Sequence, residues 1–206
     1  MQINESTLDF LRTEITKYIS GKRLSHSLAV EQEAKCLGQL FSLSESDIQR
    51  LRAAAILHDI TKELTTDNQI RLCQKYGVPV SEDDLASPKI FHSVTGAYYA
   101  KEHYPEYVDE DIFNAILYHT TGRPEMTLSE KLIYLADYIE PTRTFDDCVK
   151  LRDYFYSEPP SNLHLAKTML MSFDMTIKNL IDENFTIHGA TVKARNSILK
   201  ELKNYA

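Results

Sequence analysis

Apolar residues recur every three or four positions along almost the whole chain, and no segment alternates convincingly between apolar and polar residues. This period is that of an α-helix with one buried face, whereas a half-buried strand would show strict alternation. Thr127 and Glu130 have the spacing of a capping box, and prolines and glycines separate the remaining segments. The sequence therefore predicts an all-α protein, with later helices over residues 22–41, 45–58, 68–76, 88–104, 109–119, 127–140, 145–156, 162–181 and 192–202.

The first helix is predicted from the apolar stripe of Leu8, Leu11 and Ile15. Ser6 is its expected N-cap, because serine side chains accept hydrogen bonds from the free N–H groups of a first turn. Gly21 is its expected end, because glycine adopts the left-handed conformation that closes many helices.

A chain of 206 residues fits one domain. We expect residues 1–206 to form a single unit, with a core at about 20–145 and C-terminal helices at 146–206 packed on it. The net charge of −7 argues against nucleic acid as a partner, since phosphate neutralisation dominates such binding. The three cysteines form no CxxC pair, which argues against a disulfide framework or a thiolate zinc site. Without a signal peptide or an apolar stretch of membrane-spanning length, the expected location is the cytoplasm, with no membrane partner.

Four histidines and two aspartates stand beside apolar stripes on separate predicted helices: His26, His58, Asp59, His92, His119 and Asp137. A buried carboxylate costs several kcal/mol unless a cation or hydrogen bonds compensate it. Each of the six, taken alone, is readily explained as a core residue, a helix cap or a salt-bridge partner. Together they can converge on one or two ions in a helical bundle, and nitrogen and oxygen ligands suit iron, manganese or zinc. The remaining histidines are expected to be structural or exposed: His103, His164 and His188.

The order of the six residues resembles that of the HD superfamily of metal-dependent phosphohydrolases, and His92 and His119 resemble the additional ligands of its dinuclear members. The segments around the ligands, above all residues 118–143, resemble the YqeK family of bacterial HD-domain proteins, which are symmetrical hydrolases of diadenosine tetraphosphate. The resemblance covers roughly residues 5–180 and implies an HD-domain helical bundle with additional C-terminal helices. The tail from residue 187 onward matches nothing that assigns it a role.

The resemblance also implies two divalent transition-metal ions, iron first and manganese or another divalent ion as a substitute. It places one ion on His26, His58, Asp59 and Asp137, and the second on His92 and His119, with Asp59 bridging the two. The implied reaction is attack of a metal-bound hydroxide on phosphorus, which splits diadenosine tetraphosphate into two ADP.

Asp59 and Lys62 are the expected catalytic residues. Phosphate contacts are expected from residues inside the matching segments: Arg23, Lys62, Thr120, Gly122, Arg123 and Arg143. Lys62 would lie one turn after His58 if the helix continued, and backbone N–H groups near Gly122 could meet a phosphate. Otherwise each cation is an ordinary solvated charge and residues 120–122 form an ordinary turn.

Two other functions stay open at this point. One is a different HD-type nucleotide phosphohydrolase or phosphodiesterase, and the other is a non-catalytic nucleotide-binding regulator with a degenerate metal site. The intact set of six ligands favours an enzyme over a regulator. The expected partner is a dinucleoside polyphosphate or another nucleotide, while the oligomeric state, a homodimer included, is left open.

Overall fold

The computed structural model describes residues 3–205, and this part of the chain contains eleven α-helices, one 3₁₀ turn at Pro88–Ile90 and no strand. The predicted all-α class is confirmed. None of the helices in the described range is both long and apolar enough to cross a membrane. In chain order the helices are α1 Glu5–Ile15, α2 Gly21–Leu40, α3 Glu45–Leu57, α4 Thr66–Lys75, α5 Glu82–Ala86, α6 Phe91–His103, α7 Glu110–Tyr118, α8 Leu128–Ile139, α9 Asp146–Tyr156, α10 Asn162–Asp182 and α11 Gly189–Lys203.

Helix ends follow local capping chemistry. The predicted capping box at the start of α8 is present, with Thr127 and Glu130 each bonded to the other's backbone N–H. The predicted N-cap of α1 is wrong: Asn4 caps it, accepting a hydrogen bond from the Thr7 N–H, and Ser6 lies inside the first turn. Gly21 also differs from expectation, because α1 ends at Ile15 and Gly21 opens α2 with a φ of +49°. The short helix α5 was not predicted, since none of its residues is buried and it carries no apolar stripe.

Three helices form the centre of the bundle. α2 and α3 pack against each other, α8 packs against both, and α1 and α7 cover α3. Side chains from these helices, such as Leu37, Ile56 and Leu132, are fully buried in one continuous apolar core. The packing brings the end of α3, the start of α6 and the end of α7 to the last turn of α8, where the polar site lies.

The C-terminal helices pack on α8. α9 contacts α8, and α10 contacts both α9 and α11. The ring of Phe173 on α10 lies 4.9 Å, centroid to centroid, from that of Tyr134 on α8. Lys131 on α8 forms an ion pair of 2.6 Å with Glu201 on α11. These contacts join both ends of the C-terminal segment to the bundle that carries the site.

A buried ion network fixes α1 to the bundle. Glu31 on α2, with 1% of its side chain exposed, accepts hydrogen bonds from Arg12 on α1 and Arg52 on α3. Glu5 completes the network at the surface, where 56% of its side chain is exposed. A buried carboxylate between two guanidinium groups stabilises the fold mainly because its removal would leave the positive charges of those groups unpaired.

We therefore expect Glu31→Ala to lower the free energy of unfolding by about 3–5 kcal/mol, the usual cost of breaking a buried ion pair from one side. Urea denaturation measures this loss. Glu5→Ala is the matched control, since an exposed partner contributes about 1 kcal/mol or less. Equal losses of unfolding free energy in the two variants would contradict the conclusion that Glu31 is the central residue of the network.

Candidate metal centre

The six predicted ligands converge on one place in the structure. They come from five segments: His26 from α2, His58 and Asp59 from the end of α3 and the turn after it, His92 from the first turn of α6, His119 from the end of α7, and Asp137 from α8. Their ligand atoms form three overlapping groups, and the atoms within each group lie within 4.8 Å of one another. All four imidazoles are buried, with 8% or less of each residue exposed.

Each imidazole in the cluster is oriented by a hydrogen bond at its Nδ1 atom. The Nδ1 atoms of His58, His92 and His119 lie 2.6–2.7 Å from the carbonyl oxygens of Ala55, Lys89 and Ile116, respectively, and His26 Nδ1 lies 3.0 Å from a Glu140 oxygen. Because a carbonyl oxygen only accepts, these Nδ1 atoms carry the hydrogen. Each Nε2 therefore points its lone pair into the shared space, which is the arrangement of metal-binding histidines.

Two of the four Nε2 atoms have no hydrogen-bond partner within the protein. Those of His26 and His58 are buried without a hydrogen bond, and the same is true of Asp59 Oδ1. His92 Nε2 and His119 Nε2 lie only 3.0 Å apart, although both are acceptors. Lone pairs that face each other in a buried site repel unless a cation lies between them, so the donor set fits bound metal ions.

The carboxylate of Asp59 faces two groups of imidazoles. Its Oδ2 lies 3.6 Å from His58 Nε2 and 4.0 Å from His26 Nε2. Its Oδ1 lies 3.2 Å from His92 Nε2 and 3.7 Å from His119 Nε2. A carboxylate between two sets of neutral nitrogen ligands has the geometry of a bridge between two ions.

Asp137 completes the first of these groups. Its Oδ1 lies 2.9 Å from His26 Nε2, without the alignment of a hydrogen bond, and 3.8 Å from His58 Nε2. Around His92, the described chain offers Asp59 and His119 as the other ligands, and an Asp137 oxygen also lies within 4.8 Å of a ring nitrogen of His119. One group is therefore richer in protein ligands than the other.

Burial and neighbouring charges set the protonation states of the cluster. Burial lowers the pKa of His58 to about 4 and that of His92 well below its usual range, so both rings are neutral near pH 7. Burial alone would also lower the pKa of His26, but the carboxylates of Asp137 and Glu140 outweigh it and raise this pKa. Burial alone would raise the pKa of Asp59 and Asp137, but the neighbouring cationic and imidazole groups outweigh it and hold both values well below the usual range. Neutral imidazoles with ionised carboxylates are the forms that bind divalent metals.

Three of the predicted phosphate-binding cations touch the cluster. Arg23 donates a hydrogen bond of 2.9 Å to Asp59 Oδ2, and Arg143 donates one of 2.6 Å to Asp137 Oδ1. The Nζ of Lys62 lies 2.8 Å from His92 Nε2 and 3.6 Å from Asp59 Oδ1. Lys62 reaches this position from the turn after α3 rather than from a continued helix, since α3 ends at Leu57.

The loop after His119 brings one more of the predicted phosphate-binding residues to the cluster. Thr120 Oγ1 lies 3.1 Å from His92 Nε2. The N–H of Gly122 is not free for a phosphate as expected, because it donates to the Tyr118 carbonyl. Gly122 instead permits a close approach of α10: its φ is +64°, and a Cβ there would lie 2.7 Å from the Phe173 ring.

Arg123 has a partner inside the protein. Its guanidinium donates two hydrogen bonds, of 2.8 and 2.9 Å, to the carboxylate of Glu130, which is 1% exposed. The same guanidinium lies 5.0 Å from the ring centroid of Tyr118. This pair orients the loop between α7 and α8, and the contact of Arg123 with a phosphate stays a prediction.

Sequence reasoning missed Glu140. This residue is fully buried, and it accepts hydrogen bonds from the backbone N–H and hydroxyl of Thr142 in addition to its contact with His26. It therefore fixes the ring of one ligand and links it to the loop after α8. A signal was present in the sequence, since Glu140 follows Asp137 by three residues at the end of an apolar helix.

Comparison with known proteins places the chain in a family. The family model described as "HD domain" matches residues 23–142, which contain all six clustered ligands. A protein of Halalkalibacterium halodurans named symmetrical bis(5'-nucleosyl)-tetraphosphatase is 33% identical over 92% of this chain and 95% of its own length. A Bacillus subtilis protein of the same name is 34% identical over 93% of this chain and 95% of its own length. A crystal structure from Clostridium acetobutylicum, described as a predicted HD superfamily hydrolase involved in NAD metabolism, superposes with a TM-score of 0.84 at 35% identity, covering 94% of this chain and 97% of that one. The chain belongs to the HD-domain family, in the group whose curated members are named symmetrical bis(5'-nucleosyl)-tetraphosphatase.

Proposed function

We propose that this chain is a metal-dependent hydrolase that cleaves diadenosine tetraphosphate at its centre. One water molecule adds across the central P–O–P linkage, and each half leaves as ADP. The observation that carries the proposal is the Asp59 carboxylate, which faces one pair of imidazoles with each oxygen. The names of the relatives supply the substrate class and the symmetrical position of cleavage.

The ligand geometry favours two divalent ions in this site. We assign one ion to His26, His58, Asp59 and Asp137, and a second to Asp59, His92 and His119. Iron is the first choice and manganese the substitute, as the resemblance to the family implies, and nitrogen and oxygen donors without thiolates are compatible with both metals. When bound, the two ions would supply an activated water and positive charge for the phosphates.

The chain's own cations would guide the substrate. Arg23, Lys62 and Arg143 contact the cluster, yet each keeps about a third of its side chain exposed, at 35%, 30% and 29%. Because these side chains are already partly exposed, each can turn from its present partner in the cluster toward an incoming phosphate. These charges offset the net charge of −7 locally, and attraction of a polyanion depends on the local field.

Lys62→Ala is expected to retain the metal content and to lower kcat on the order of 10²-fold, because it removes a cation next to the reacting phosphoryl group. Elemental analysis and steady-state rates measure the two quantities on the same preparation. Lys75→Ala is the control, since Lys75 is an exposed lysine paired with Glu102 on the surface. Loss of metal in Lys62→Ala, or an unchanged rate, would contradict the assignment.

Identification of products tests the function itself. We expect protein purified without oxygen and loaded with iron or manganese to convert diadenosine tetraphosphate into ADP alone, as seen by anion-exchange chromatography. AMP with ATP would contradict symmetrical cleavage and favour another phosphohydrolase of the superfamily. Binding of the dinucleotide without any product would favour the regulator.

A further inference from the structure

A cavity of about 260 Å³ lies beside the metal centre. One wall comes from the segment between α5 and α6, and the opposite wall comes from the end of α10 and the start of α11. The C-terminal wall includes Leu180 and Phe185, and it also includes His188 and Thr191 from the tail for which the sequence suggests no role. The cavity lies just below the usual range for ligand pockets, roughly 300–1,000 Å³, so it has room for one nucleoside and not for a dinucleotide.

The cavity and the metal centre share a wall. Thr120 lines the cavity, and its hydroxyl lies 3.1 Å from His92 Nε2. Lys89 lines the cavity as well, and its carbonyl oxygen accepts from His92 Nδ1 at 2.6 Å. Both ring nitrogens of one metal ligand therefore contact residues of the cavity wall, so the cavity borders the metal centre at His92.

The lining has the chemistry of a purine site. Pro88, Ile90 and Leu180 provide apolar surface, and the half-exposed ring of Phe185 provides a face on which a base can stack. Thr176, Thr186 and Thr191 line the same space and carry hydroxyl groups. Such a group accepts or donates a hydrogen bond at the polar edge of a base, and an apolar pocket with a few polar groups is typical of ligand sites.

Lys89 adds a cation at the aromatic edge of the cavity. Its Nζ lies 4.6 Å from the centroid of the Phe185 ring. Lys89 is exposed and its cation–π contact is of modest strength, so its ammonium group is available to an anion at this edge of the cavity.

We propose that this cavity binds one terminal nucleoside of the substrate and thereby sets which phosphorus reaches the metals. The inference rests on the proposed function for the identity of the substrate. A nucleoside held at a fixed place relative to the ions determines how many phosphates lie between the ribose and the attacked phosphorus. Symmetrical cleavage then results from this spacing, since the central linkage is the second one from the bound nucleoside.

Two variants alter the cavity without touching the proposed ligands. Phe185→Ala removes the stacking face, and Ala86→Trp narrows the cavity from an exposed position at the end of α5. Both positions are exposed, so neither change should disturb folding. Phe10→Ala is the matched control, because Phe10 is an exposed aromatic residue on α1 that packs on Tyr104 and Tyr107.

Calorimetric titration of the metal-loaded proteins with ADP and with inorganic pyrophosphate separates the nucleoside from the phosphates. We expect the native chain to bind ADP more tightly than pyrophosphate. Both cavity variants should lose about ten-fold or more in ADP affinity, the size of a lost base–aromatic stack, and keep their pyrophosphate affinity. The control should match the native chain for both ligands.

Product analysis gives a second readout. With a loosened nucleoside, the cavity variants should release AMP and ATP beside ADP from diadenosine tetraphosphate. Unchanged ADP affinity, equal losses for both ligands, or ADP binding no tighter than pyrophosphate in the native chain would overturn the inference, whatever the products. A native chain without hydrolysis whose ADP affinity still depends on Phe185 would overturn the proposed function and leave the nucleoside site standing.

Discussion

Asp59→Ala is expected to lower kcat/KM by on the order of 10³-fold or more and to reduce the content of both ions. Loss of a residue that only supports a ligand typically costs 10–100-fold in metal affinity or activity, roughly. Asp59 is the one side chain in the described cluster whose oxygens face both pairs of imidazoles, so its loss removes a ligand from each ion. Elemental analysis, kcat and KM of the same folded preparation measure the effect.

Two further variants make this result specific. Glu140→Gln keeps an acceptor for His26 but removes its charge, so we expect the smaller loss, roughly 10–100-fold, with most of the metal retained. His103→Ala should match the native chain, because His103 is an exposed residue stacked on Tyr99 outside the cluster. An Asp59→Ala protein with two bound metals and near-native turnover would refute the bridging role.

The helices and the six clustered residues could be predicted from the sequence because both leave local signals. Periodic leucines and isoleucines mark buried faces, and buried histidines and aspartates interrupt those faces where no local partner exists. The family resemblance divided the ligands between two ions. The two-sided position of Asp59 is consistent with that division, which the sequence order of the ligands alone does not contain.

The residues that support the site could not be assigned in the same way, because their partners are distant in sequence. Glu140 contacts a histidine 114 positions away, and Arg123, expected to contact a phosphate, has a buried partner in Glu130. His164, expected among the structural or exposed histidines, is 2% exposed and contacts the Phe155 carbonyl. The cavity beside His92 combines residues from 86–90 with residues from 176–191, and only tertiary packing brings these segments together.

Removal of the metal ions is expected to lower the melting temperature by roughly 8–16 °C. A ligand at about 1,000 times its Kd stabilises the native state by about 4 kcal/mol, and each kcal/mol shifts the Tm of a chain of this size by about 2–4 °C. The ligands come from five segments, so the ions tie α2, α6, α7 and α8 to the turn after α3. Calorimetry before and after verified chelation measures the shift, and an unchanged melting curve would contradict an interhelical metal site.

The Tm of the chelated protein is also expected to depend on pH. The pKa of His58 is about 4 in the folded chain, compared with 6.5 for an ordinary histidine, because burial disfavours the charged ring. Between these values the unfolded chain binds the additional proton, so the stability that the neutral ring contributes is complete above about pH 6.5 and is lost as the pH falls toward 4. His92 acts in the same direction, whereas His26, whose pKa Asp137 and Glu140 raise against burial, acts in the opposite one. We therefore expect the Tm of the chelated protein to fall from pH 7.5 to pH 5, and His58→Phe, which cannot be protonated, to reduce that fall; a Tm that rises as the pH is lowered would show that the rings are charged in the folded chain.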